Sequence, residues 1–228
     1  MTAVLGNAQG GLELLPTQAY GNNWLQIKHK GVTLKSLPTK GDPYEEIYKL
    51  KDVWYGLLNE SSLNPAGLRD GPTFKKTCTL LDKAKKFHNT VNNTYHDQSY
   101  AHFGADAKRT AWHHVVWGID DRATITNVDL LKLVADNDQG KLTLIDTGHP
   151  PGSAVSGSQF TCTLAPAAEP GDQTVPAYSA DHQVRSGKFK GIFRQHGYEH
   201  QNSYKDKAAL NSTLYSLIQI ASTMVWSK

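Results

Sequence analysis

Long apolar runs are missing from this chain of 228 residues. The most apolar window, Leu214 to Val225, is broken by Ser216, Gln219 and Ser222, and none approaches the roughly 20 apolar residues that a helical bilayer span needs. A dominance of one charge sign is missing too: 24 basic and 21 acidic residues are interspersed and give a net charge of +3. That balance leaves no electrostatic footprint for a polyanion, so nucleic acid is not an expected partner. Cysteine is scarce. Cys78 and Cys162 stand far apart with no CxxC spacing, which excludes a disulfide scaffold and a cysteine-rich zinc site and predicts two reduced, partly buried thiols. The first residues, MTAVLGNAQGGLELLP, have neither a basic start nor a sustained apolar stretch, so a secretory signal peptide is not expected.

What remains is an ordinary globular composition, 39% hydrophobic and 20% charged, long enough to bury one sizeable core. Residues 1–110 read as an irregular and helical region and 111–228 as a strand-bearing α/β region. Breakers at Pro16, Gly21, Gly31, Pro38, Gly41 and Pro43 exclude long elements early in the chain. After them, Asp42-Pro43 and the spacing of Ile47, Leu50, Trp54, Leu57 and Leu58 predict a helix over Tyr44–Leu58. A second helix is expected from Thr73 to Tyr95, with Cys78, Leu81, Ala84, Phe87 and Val91 along one side. Strands are expected at His113–Ile119, Lys141–Ile145, Gln159–Leu164 and Lys188–Arg194. The last helix, Asp206–Trp226, carries Leu210, Leu214, Leu217, Ile218, Ala221 and Val225 at helical spacing. Strands that end in chemistry-bearing loops, closed by a helix, predict an α/β layer arrangement.

Two loops concentrate reactive residues. Gly171–Ala180 reads GDQTVPAYSA, where a glycine and a proline frame a tight turn around Asp172. A carboxylate that orients a histidine needs such fixed placement. Gly197–Asp206 reads GYEHQNSYKD and sets His200 on a loop ahead of the last helix. In that order the acid precedes the histidine, as it does along an α/β-hydrolase sheet. His196 is the competing base. His113 and His114, if on a strand, face opposite sides of it and do not share an ion in simple fashion. No metal site and no cofactor are expected. The aromatic group Tyr44, Tyr48, Trp54 and Tyr55 reads as core, with an acyl groove or lid as the other reading.

The acid loop resembles the GDGTVP loop of lipases in the α/β-hydrolase superfamily. The histidine loop, with LNSTLYSLIQIA after it, is similar to the histidine loop and final helix of bacterial lipases. The nearest subset is the type VI secretion phospholipase effectors, which also carry segments like GGLELLPTQAYGNNWLQI and DPYEEIYKLKDVWYGLL. Gln173 departs from the motif, which has glycine there. The resemblance implies the C-terminal portion of an α/β-hydrolase sheet, with residues 1–110 cap- or lid-like, and Asp172 and His200 as acid and base of a Ser-Asp-His triad. It implies an antibacterial effector that acts on a lipid or ester at the periplasm or membrane of a target cell, cytoplasmic before export by a route without a signal peptide.

The nucleophile is the missing part. No serine has glycine two places before and two places after it, so the chain holds no G-x-S-x-G elbow. Gly6-Asn-Ala-Gln-Gly10 has alanine in the serine position, and Pro16 interrupts any helix after it. The expectation is that the serine lies upstream, that this chain alone does not turn over, and that it meets another chain: the missing N-terminal half, a secretion adaptor, an immunity protein or a second copy. Two other readings stay open. One is a non-catalytic assembly fragment of a split or truncated hydrolase; the other is a carbohydrate-binding module suggested by the Gly, Asn, Trp and Tyr of the first 60 residues.

Overall fold

The computed structural model describes residues 2–224. Its strands are β1 (Leu25–His29), β2 (Val32–Leu37), β3 (Tyr100–Gly104), β4 (Asp106–Ala111), β5 (Val115–Ile119), β6 (Leu131–Asp136), β7 (Lys141–Asp146), β8 (Gln159–Leu164), β9 (Glu169–Gly171) and β10 (Gly191–Gln195). The helices are α1 (Thr2–Leu5), α2 (Gln9–Leu12), α3 (Glu60–Leu63), α4 (Phe74–Val91), α5 (Ala177–Ala180), α6 (His182–Ser186) and α7 (Lys207–Ser222). This is a mixed α/β architecture with a mostly antiparallel central sheet. Among the described residues, no helix is long and apolar enough to cross a membrane.

The chain divides into two compact units. The first comprises 1–92 and 114–165, the second 93–113 and 166–228. In the first, six strands order as β2-β1-β5-β8-β7-β6; β1 and β5 are parallel and the other pairs antiparallel. Strand β7 shows why such a sheet forms: Leu142, Leu144 and Asp146 are buried while the residues between them are not, the period-2 alternation of a strand with one covered face. The core gathers Leu25, Ile27, Leu142, Leu144 and Cys162 from the sheet with Tyr44, Tyr48, Trp54, Tyr55, Leu81 and Ala84. The aromatic group is therefore core. Tyr48 donates to the Pro16 carbonyl at 2.6 Å and the Trp54 indole to that of Val128 at 3.1 Å, so its polar ends are satisfied.

The expected helix over Tyr44–Leu58 is shorter: a single π-type turn covers Tyr44–Tyr48. Lys49 closes that turn; beyond it Asp52 adopts a left-handed φ of 58°, and Trp54 and Tyr55 are buried outside any helix. Helix α4 starts as expected, with the Thr73 hydroxyl capping Lys76 N–H at 3.3 Å. Its buried side is Phe74, Thr77, Leu81 and Ala84, whereas Phe87 and Val91 are exposed. Residues 2–5 are helical, so Gly6–Gly10 does not follow a strand and is no elbow.

The second unit holds two small sheets, a parallel pair β10-β3 and an antiparallel pair β4-β9. Phe103, Ala105 and Ala177 form its buried cluster, with Ala180 and Ile192 against it. Asp206 caps α7 by accepting from Ala208 and Ala209 N–H at 2.8 and 3.1 Å. The helix buries Ala209 and Ser212. Of the apolar set read at helical spacing, Leu210, Leu214, Leu217 and Ile218 are 50–59% exposed; Val225 and Trp226 lie outside the described residues.

Candidate active site: an acid loop and a histidine loop

Pairing of β9 with β4 brings Glu169–Gly171 beside Asp106–Ala111 and launches the acid loop. Gly171 has to be glycine: a Cβ there would stand 2.5 Å from the Val175 carbonyl oxygen and 3.0 Å from the Ala111 Cβ. The loop folds back so that Gly171 bridges Pro176. Inside it Asp172 Oδ1 accepts from Val175 N–H at 2.7 Å and Thr174 N–H at 3.1 Å, the local side-chain turn that aspartate favours. Asp172 is 8% exposed.

The histidine loop leaves β10 through Gly197, whose φ of 99° suits glycine alone. Gly197 N–H donates to Asp106 Oδ2 at 3.0 Å, which ties the turn to β4. Tyr198 is buried. Glu199 then caps a 3-10 turn over His200–Lys205 by accepting from Gln201 N–H at 3.0 Å. This places His200 Nδ1 2.9 Å from Asp172 Oδ2, while His200 N–H donates to the Asp172 carbonyl at 2.9 Å. The His200 side chain stays 47% exposed and that of Asp172 12%. His196, the competing base, is exposed and near Asp106 rather than the acid loop.

The polarity of the pair follows from its chemistry. A carboxylate only accepts, so Nδ1 carries the proton and Nε2 is left as the basic nitrogen. Burial, and then the charges of Asp172 and Asp206, push the Tyr198 phenol up to about 12, so it stays neutral beside the carboxylate. The backbone bond from Gln201, helped by Asn202 and His200, holds Glu199 below the usual carboxylate range.

The arrangement can orient and stabilise an imidazolium while that imidazole moves a proton at Nε2. Neither residue belongs to a cluster of three metal-ligating side chains among the described residues. Of the other sequence candidates, His113 and His114 lie in a bend ahead of β5, not on the strand, so strand alternation does not govern them. His113 stacks on Tyr178, ring centroids 3.8 Å apart. Four residues that sequence reasoning passed over shape the site. Gly104 lets Asp172 approach β3, since a Cβ there would stand 2.7 Å from the Asp172 Cβ. Tyr198 fills the space beside them, and Asp106 and Arg109 hold both loops. Only Tyr198 sat in a recognised motif; Asp106 contacts a residue 91 positions away.

No protein-family model matches the chain, and neither does any curated protein. Among solved structures it is similar to a chain in the crystal structure of the Tle4–Tli4 complex, at 30% identity and a TM-score of 0.76. The likeness covers 99% of this chain and 48% of that one. The chain thus spans about half the length of the solved chain it matches.

Proposed function

We propose that this chain supplies the acid and base of a serine carboxylic-ester hydrolase of the lipase or phospholipase type, an antibacterial effector of the type VI secretion class. The observation that carries the reading is the 2.9 Å contact between His200 Nδ1 and Asp172 Oδ2, in the acid-then-histidine order and in loops that resemble those of lipases. A serine outside these residues attacks the ester carbonyl while His200 Nε2 takes its proton; the tetrahedral oxyanion collapses and the alcohol leaves with that proton. Water then attacks the acyl-serine, again giving a proton to Nε2, and the carboxylic acid departs as the serine recovers it. Asp172 stays ionised and steadies the imidazolium throughout.

The nucleophile comes, on this reading, from a half of the hydrolase that packs on the second unit. Parallel strands are normally found inside covered sheets, yet β3 and β10 pair only with one another among the described residues, and α7 leaves an apolar stripe in solvent. A protein partner fits the solved neighbour, which was crystallised as a complex; the substrate is a membrane phospholipid met at the periplasmic face of a target cell. A non-catalytic assembly role is favoured by one observation, the absence of any G-x-S-x-G serine from the chain.

The experiment is to express the complete reading frame that encodes this chain and measure fatty acid release from phospholipid vesicles and short-chain esters. Release that a fluorophosphonate abolishes by labelling one serine ahead of residue 1 is expected. A stop codon directly upstream, no hydrolase half in a neighbouring frame, and no ester hydrolysis would overturn the enzymatic reading in favour of the assembly role.

A further inference from the structure

Asp172 and His200 are not the only link between their loops. Arg109 on β4 donates from Nη1 to Gln173 Oε1 at 3.1 Å and from Nη2 to the Gly197 carbonyl at 3.3 Å. Its own carbonyl takes the Gln173 N–H at 3.3 Å, and Asp106, on the same strand, holds Gly197 N–H at 3.0 Å. One guanidinium therefore has one prong in the acid loop and one in the histidine loop. A rigid planar fork can span two acceptors at fixed separation, which the single ammonium of lysine cannot.

Gln173 is the unexpected member. Its φ is +73°, the left-handed region that glycine enters freely and other residues enter at a cost. The lipase motif that this loop resembles has glycine at that place. What the glutamine gains for the strain is the amide oxygen that meets Arg109.

We propose that Arg109 and Gln173 form a positioning clamp that locks the acid loop to the histidine loop and so keeps Asp172 Oδ2 in line with His200 Nδ1. The inference rests on the reading of Asp172 and His200 as an acid–base pair. Both residues act on that pair through its loops. The His200 ring is half exposed, so its direction depends on its bonds to Asp172, and a loop-to-loop tie keeps that partner in place.

The test uses the chain itself with 15N-labelled histidine and follows the His200 Nδ1 proton by NMR, in position and in exchange with water. Wild type is expected to show a far-downfield proton that Asp172→Asn abolishes. Arg109→Lys, Gln173→Gly and Gln173→Ala should each speed its exchange by about fivefold, the scale of one net hydrogen bond. The double variant Arg109→Lys/Gln173→Gly should be no worse than either single one. Gln173→Gly should at the same time raise the melting temperature by relieving the left-handed strain, and Gln173→Ala should not. A structural role alone moves stability without moving the proton, so unchanged exchange in all three single variants, or additive effects in the double one, would overturn the clamp while the pair stands. A proton absent from wild type, or one that survives Asp172→Asn, would sink the acid–base reading and the clamp with it.

Discussion

Asp172 holds His200 twice: its carboxylate meets the ring Nδ1 and its carbonyl meets the main-chain N–H, both at 2.9 Å. The first bond sets the tautomer and direction of the imidazole, and the second sets where the ring is attached. Because one residue makes both, any shift of the acid loop carries the histidine backbone with it. The pair is assembled wholly within the second unit.

Truncation of the carboxylate should separate its two roles. Asp172→Ala leaves the Thr174 and Val175 N–H groups and His200 Nδ1 without their acceptor, and burial makes such orphans cost about 1–3 kcal/mol. Asp172→Asn keeps an oxygen for the two backbone donors and should cost clearly less. Denaturant melts of both variants check the ranking; equal losses would mean that the turn does not depend on that oxygen.

Gly104→Ala should damage the site from beneath. The added methyl would stand 2.7 Å from the Asp172 Cβ and 3.3 Å from Tyr198 Cε2, an overpacking of the kind that costs about 1–3 kcal/mol. The expected outcome is loss of the His200 Nδ1 proton signal. Gly118→Ala on β5 meets only the Thr163 carbonyl oxygen, at 3.7 Å, and should leave that signal in place. Two indistinguishable spectra would contradict the close approach of Asp172 to β3.

Alkaline pH should weaken the fold in a defined window. Burial first, and nearby carboxylates second, push Tyr44 and Tyr198 from 10.0 up to about 12. The folded state thus keeps protons that the unfolded chain releases above pH 10. Stability from this source is whole below about pH 10 and is lost as pH rises toward 12. Urea midpoints taken across that range check it, and a midpoint that stays flat to pH 12 would show that neither phenol is shielded.

The two thiols should differ. Cys162 is fully buried on β8, and burial alone pushes its pKa up to about 12; Cys78 is half-buried and is pushed up less strongly. A disulfide reagent near pH 8 should modify Cys78 slowly and Cys162 only on unfolding, since the thiolate is the reactive form. Rapid modification of both in the native protein would contradict the packing of β8.

Local signals carried the sequence reading furthest. Strand β8 spans Gln159–Leu164 as expected, and Thr73 and Asp206 mark helix starts because a cap is written within a few residues. Asp172 and His200 were legible for the same reason: each loop holds its own turn chemistry. The helix expected to Leu58 stopped at Tyr48, and beyond it Asp52 is left-handed, so apolar periodicity alone did not fix the helix length. The apolar set on α7 had the period of a helix, and the helix is there, but periodicity marks a face that wants cover without saying what covers it. Gly104, Asp106 and Arg109 act on residues 64 to 91 positions away or across a strand, and no local pattern announces such contacts.

The most direct test of the acid–base assignment is kcat for ester hydrolysis by the complete reading frame, compared among wild type, Asp172→Asn and His200→Ala. A loss of about 10⁴-fold is expected for Asp172→Asn, the scale on which a triad loses its orienting carboxylate, and a loss at least as large for His200→Ala. Unchanged kcat in either variant, with the protein folded, would contradict it.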